Sequence, residues 1–169
     1  MRWNSKAPGN LAFVGSGGSL FPEDYNEAGS MWDHLDRYGK PFWNFGFGVM
    51  FAPHLSDDLA YPRGYAYAIN YPVTEALFRQ SSREYPTYNM AIPDQYRVDR
   101  FIGEFNQRWR TGKEALPPVL TVILPNDHGA GERPDAGFPF LESYMADNDL
   151  ALGRLVEFLS NTPYWKNMA

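Results

Sequence analysis

Apolar positions recur every three or four residues in three stretches of the chain and run without a break in a fourth. From Pro22 onward, Tyr25, Ala28, Met31, Trp32, Leu35 and Tyr38 fall on one face of a predicted helix. Pro22, Glu23 and Asp24 start it with negative charge, and Gly39 is a natural stop. His34 lies beside that stripe among polar neighbours and reads as a surface residue. The aromatic segment 41–51 holds Phe42, Trp43, Phe45 and Phe47, interrupted by Gly46 and Gly48. It predicts a strand followed by a bend where backbone approaches something closely. Five prolines between residues 52 and 93 prevent long regular elements. That stretch reads as a loop-rich excursion of the kind that often carries function, with one short helix over 73–81.

The strongest helical pattern follows. Pro93 and Asp94 open it, Val98, Phe101, Ile102, Phe105 and Trp109 form its stripe, and Thr111 and Gly112 end it. Residues 119–124, Val-Leu-Thr-Val-Ile-Leu, are continuous, apolar and β-branched, the pattern of a parallel strand buried on both faces. The run stops at Pro125. A glycine- and proline-rich loop over 131–139 leads to a last helix, Leu141 to Ser160, with Met145, Leu152, Leu155, Val156 and Leu159 expected on its buried face. Residues 163–169 read as the lead-in to another strand. Helix, buried strand, loop and helix in succession predict an α/β fold. The expected architecture is a partial doubly wound, mostly parallel sheet with flanking helices, one partial domain over 1–169 truncated at both ends.

Composition narrows the classes. A chain of 169 residues is one ordinary domain in size, able to bury roughly 70% of its unfolded surface. With 44% hydrophobic and 21% charged residues it is not a disordered chain. No apolar run approaches the roughly 20 residues of a membrane helix, and the N-terminus lacks the apolar core of a signal peptide. The absence of cysteine excludes a disulfide scaffold and a thiolate zinc site, and leaves the compartment unknown. A net charge of −5 argues against binding to a nucleic-acid backbone. The 17% aromatic content fits a carbohydrate-binding surface, but a well-filled core explains it at least as well.

Candidate chemistry gathers at the end of the 119–124 strand, because open α/β sheets bind ligands at the carboxyl ends of their strands. Asn126, Asp127 and His128 follow there. A carboxylate and an imidazole on a tight loop suit a divalent metal, zinc or manganese, whereas the alternative is a turn-capping Asp beside a solvent-exposed His. Asp147 and Asp149 read as helix-start charge. The glycines of residues 11–20 form neither a P-loop nor a dinucleotide fingerprint. There is no Gly-x-Ser-x-Gly elbow, and His34, His54 and His128 are too scattered for a self-contained metalloprotease.

Three segments together resemble the phosphoesterase branch of the alkaline phosphatase superfamily. They are 124–131 (Leu-Pro-Asn-Asp-His-Gly-Ala-Gly), 144–157 (Tyr-Met-Ala-Asp-Asn-Asp-Leu-Ala-Leu-Gly-Arg-Leu-Val-Glu) and 161–167 (Asn-Thr-Pro-Tyr-Trp-Lys-Asn). Residues 92–101 and 43–46 are similar to the middle region of that branch, and the likeness is looser before residue 90. The resemblance implies an alkaline-phosphatase-like sheet and a two-metal hydrolase of phosphate esters, in which a Ser or Thr nucleophile attacks phosphorus. It implies Asp127 and His128 as metal ligands and Asn126 as a residue that orients a ligand from behind. Gly129 stands where relatives often carry threonine. Ser16 and Ser19 have no nucleophile-like context, and the later Asp-rich motif and final histidine are missing.

The expectation is therefore a piece of a metal-dependent phosphoester hydrolase, inactive alone, whose parent enzyme takes a small-molecule phosphoester and belongs to a family often periplasmic or secreted. Exposed sheet edges would favour self-association. An aromatic-rich carbohydrate- or ligand-binding module, or a truncated product without function, are the alternatives.

Overall fold

A computed structural model describes residues 28–47, 75–86 and 89–169. The described residues fall into two compact units. The first combines 28–47, 75–86 and 117–123, and the second combines 89–116 and 124–169.

In the first unit, helix α1 spans Met31–Arg37. It starts later than the apolar spacing predicts, because Ser30 and Asp33 close a reciprocal capping box ahead of it. The Ser30 Oγ accepts the Asp33 N–H at 3.3 Å, and an Asp33 carboxylate oxygen accepts the Ser30 N–H at 2.7 Å. The first-turn carboxylate is thus Asp33, and Pro22, Glu23 and Asp24 lie outside the described residues. Gly39 ends α1 at φ +60°, and His34 is exposed, both as expected.

Strand β1, Phe42–Phe45, pairs in parallel with β2, Val119–Val122, in the register Phe42 to Val119 through Phe45 to Val122. Helix α2, Glu75–Arg79, lies inside the expected 73–81. Trp32 of α1, Phe42 of β1 and Ala76 and Leu77 of α2 form one apolar cluster, with Leu35, Phe47 and Val119 packed against it. The parallel pairing shows the α/β character. The expected full burial of β2 does not hold: all four of its residues are only half-buried, and β1 is its pairing partner among the described residues. Ile123, just beyond the strand, is buried.

In the second unit, α3 runs Asp94–Phe105 and passes directly into a wider π-helical turn, Asn106–Arg110, before Gly112 stops it at φ +73°. Val98, Phe101, Phe105 and Trp109 are buried, as their spacing predicts. Helix α4 is Leu141–Ser160, as expected. Phe158 of α4 meets the rings of Phe101 and Phe105 edge-on, at 6.3 and 5.3 Å between centroids. Aromatic pairs prefer that geometry, which sets the positive ring edge against the negative face.

The buried face of α4 is a correction. Tyr144, Asp147, Ala151 and Leu155 are inside, while Met145, Leu152 and Val156 are about half exposed. The helix is rotated by about one residue from the expected phase, because it buries a carboxylate rather than Met145. Residues 165–167 form a short 3₁₀ turn, and Met168 after it is extended. The glycine-rich 11–20 segment, Ser16 and Ser19, His54 and most of the 52–93 excursion lie outside the described residues. No described helix is long and apolar enough to cross a membrane.

Candidate functional site

Helix α3 begins at a residue that cannot cap it. Pro93 holds the capping position in extended conformation, φ −60° and ψ 139°, and offers no side-chain acceptor to the free amides of the first turn. The acceptor comes from α4 instead: the Asp147 carboxylate takes the Asp94 N–H at 2.6 Å. Asp147 also accepts from the Asn126 amide at 2.8 Å and the Gln95 amide at 3.2 Å. It sits in the middle of α4 and is buried, so it is not helix-start charge; Asp149, two residues on, is exposed.

Asp94 and Arg97 are both fully buried and form an ion pair at 2.9 Å. The Arg97 guanidinium additionally donates to the carbonyls of Ile92 at 2.6 Å and Asn89 at 2.9 Å. The other Asp94 oxygen accepts the Asn126 backbone N–H at 2.9 Å and the Asn148 amide at 2.8 Å. Buried charge is tolerated only when paired and hydrogen-bonded in this way. Burial still dominates at Asp94 and raises its pKa above the usual 3.8, against the opposing pull of Arg97, Asn148 and the Asn126 amide.

This network fastens the segment that carries the predicted ligands. After Leu124 the chain turns through a 3₁₀ turn, Pro125–His128, with proline at its first position. Pro125 and Asn126 point inward and are buried, whereas Asp127 and His128 are exposed. Asn126 is held from two sides, its N–H on Asp94 of α3 and its amide on Asp147 of α4 and on the Ile92 carbonyl at 3.3 Å. The Asn126 Oδ1 is buried with no hydrogen-bond partner among the described residues. Asn148 donates to the Leu124 carbonyl at 2.9 Å. Gly129 closes the turn at φ +64°, donating its N–H to the Asn126 carbonyl at 3.0 Å. A threonine in that backbone would be strained, and its Cβ would stand 2.6 Å from a Leu141 methyl.

The structure therefore keeps the three predicted residues on one turn but divides them, Asn126 inside and Asp127 with His128 outside. Among the described residues, no three His, Asp or Glu side chains gather in an arrangement able to hold a metal ion. Sequence reasoning missed Arg97 and Asn148, took Asp94 for a helix opener alone and read Asp147 as helix-start charge. The signal was present: Asp147 shares the helical face of Tyr144, Ala151 and Leu155, a polar residue where the phase demands burial. No family model, no curated protein and no solved structure matches the chain.

Proposed function

We propose that this chain contributes to a metal-dependent hydrolase of phosphate esters, with Asp127 and His128 supplying metal ligands. The observation that carries the reading is the asymmetry of the 125–128 turn. Its buried half is tied to two helices by a charged network, and its outer half carries an exposed carboxylate and an exposed imidazole at successive positions. The likeness of 124–131, 144–157 and 161–167 to the phosphoesterase branch supports the same reading, since Asn126, Asp147 and Asn148 all fall in those segments.

The donor set fits zinc or manganese in kind, one hard oxygen and one borderline nitrogen. It does not fill a coordination sphere, so further ligands must come from water, from phosphoryl oxygens or from residues outside the described ones. A divalent ion held there would neutralise charge on a phosphoryl group. Asp127 and His128 would hold that ion, and Asn126, fixed from behind, would keep their backbone in place.

A thermal melt in EDTA, zinc and manganese tests the proposal, because a ligand of the folded state raises the midpoint. The expected result is a rise with metal in the wild type that disappears in Asp127→Asn and in His128→Ala. An unshifted wild type, or a shift retained in both variants, overturns it.

A further inference from the structure

We infer that Asn148 is a positioning residue for the Asp127–His128 turn, acting through its side-chain amide; the inference rests on the metal-site reading above. Asn148 lies on α4, next to Asp147, and touches neither predicted ligand among its hydrogen bonds. Its Nδ2 donates twice, to the Leu124 carbonyl at 2.9 Å and to the Asp94 carboxylate at 2.8 Å. Leu124 is the residue before the turn, and the same Asp94 oxygen accepts the Asn126 backbone N–H. One amide group thus ties the entry of the turn to the carboxylate that fixes its second residue. Asp147 fixes that residue from the other side through Asn126 Nδ2.

The geometry asks for a donor at this place and for no charge. Both partners are acceptors, a carbonyl and a carboxylate, so the NH₂ group of an amide serves them together. A carboxylate in the same volume has no proton to give and faces Asp94 with like charge. Asp and Asn are nearly the same size, which separates the donor's role from space filling. Partners hydrogen-bonded to metal ligands change affinity by about 10–100-fold when removed; Asn148 stands one step further back, on the Leu124 carbonyl and Asp94, which puts its effect at the low end of that range.

Titration calorimetry with manganese and zinc ions, at a temperature where every variant is folded, tests this on the whole chain. Asn148→Ala and Asn148→Asp are both expected to weaken binding by at least about tenfold. Leu155→Ala, which opens the buried face of the same helix two turns away, should lower the melting midpoint and leave affinity within about twofold. Hydrogen exchange supplies a readout that needs no metal: the Asn126 amide should lose protection in both Asn148 variants and keep it in Leu155→Ala. Affinity retained in Asn148→Ala, full function in Asn148→Asp, or an equal loss in Leu155→Ala overturns the inference. A wild type that binds no metal overturns the metal-site reading instead. In that case the exchange result decides alone, and a protected Asn126 amide in Asn148→Ala overturns the positioning role.

Discussion

The carboxylate of Asp147, in the middle of α4, caps the first amide of α3 by accepting the Asp94 N–H at 2.6 Å. A helix normally meets this need from its own capping residue, but proline holds that position here. The cap is therefore tertiary, and α3 depends on α4 for its start. Replacing Asp147 by Ala removes the acceptor of the Asp94 N–H, the Asn126 amide and the Gln95 amide together. Hydrogen bonds to a charged group are worth about 1.5–3 kcal/mol each and do not add fully. The expected loss is about 3 kcal/mol or more by urea unfolding, against less than about 0.5 kcal/mol for the exposed Asp149→Ala. Similar costs for the two would mean that the cap is dispensable.

Asp94 gives a pH signature. Burial, the largest influence, raises its folded pKa above the 3.8 of the unfolded chain, although Arg97 pulls the other way. The folded state then binds the Asp94 proton more readily than the unfolded state does. Its contribution to stability is fully present below about pH 3.8 and is lost as pH rises through the folded value. The stability of wild type relative to Asp94→Asn should accordingly fall as pH rises from 3.8. A flat or rising difference would show that the Arg97 pairing outweighs burial.

An exposed pair on the same unit behaves in the opposite sense. Arg108 grips both carboxylate oxygens of Glu114 at 2.7–3.1 Å and lies over the Trp109 ring at 5.0 Å. Hydrogen bonding from Arg108 lowers the Glu114 pKa below the usual 4.5. The stabilisation is present above 4.5 and lost as pH falls through the lowered value. Carboxyl NMR should find the Glu114 midpoint below 4.5 and find it restored by Arg108→Leu. A midpoint unmoved by that substitution would leave the pair without thermodynamic effect, as many exposed ion pairs are.

What the sequence disclosed and concealed follows the same physics. The stripes of Val98, Phe101, Phe105 and Trp109 were legible because every member is apolar and buried. The limits of α4 were legible, but its phase was not, since the burial of Asp147 violates the rule by which an apolar face is read. Asp127 and His128 could be singled out from their place after a β-branched run. Their support could not, because Asp94, itself paired with Arg97, reaches Asn126 from 32 positions away, and no local pattern encodes that contact. The late start of α1 is a simpler case: the Ser30–Asp33 capping box was there to be found, and the apolar spacing of Tyr25 and Ala28 obscured it.

Gly46 tests the packing of the first unit. Its φ of +90° turns the chain out of β1, and a Cβ there would stand 2.6 Å from a methyl of Ile123 and 3.2 Å from the Tyr85 ring. Neither neighbour retreats easily. The Tyr85 hydroxyl donates to the Ile123 carbonyl at 2.6 Å, its ring packs edge-on against Phe45, and both residues are buried. Gly46→Ala therefore carries two costs, about 1–2 kcal/mol for the left-handed backbone and about 1–3 kcal/mol for overpacking. Gly39 isolates the first of these, since it too has positive φ, +60°, but nothing lies within 4 Å of its missing Cβ. Gly39→Ala should show the backbone cost alone, and Gly46→Ala should melt several degrees lower, at about 2–4 °C per kcal/mol for a chain of this size. Equal midpoints would mean that Ile123 and Tyr85 yield to the added methyl, and that the contact between the bend and the residue after β2 is looser than its distances imply.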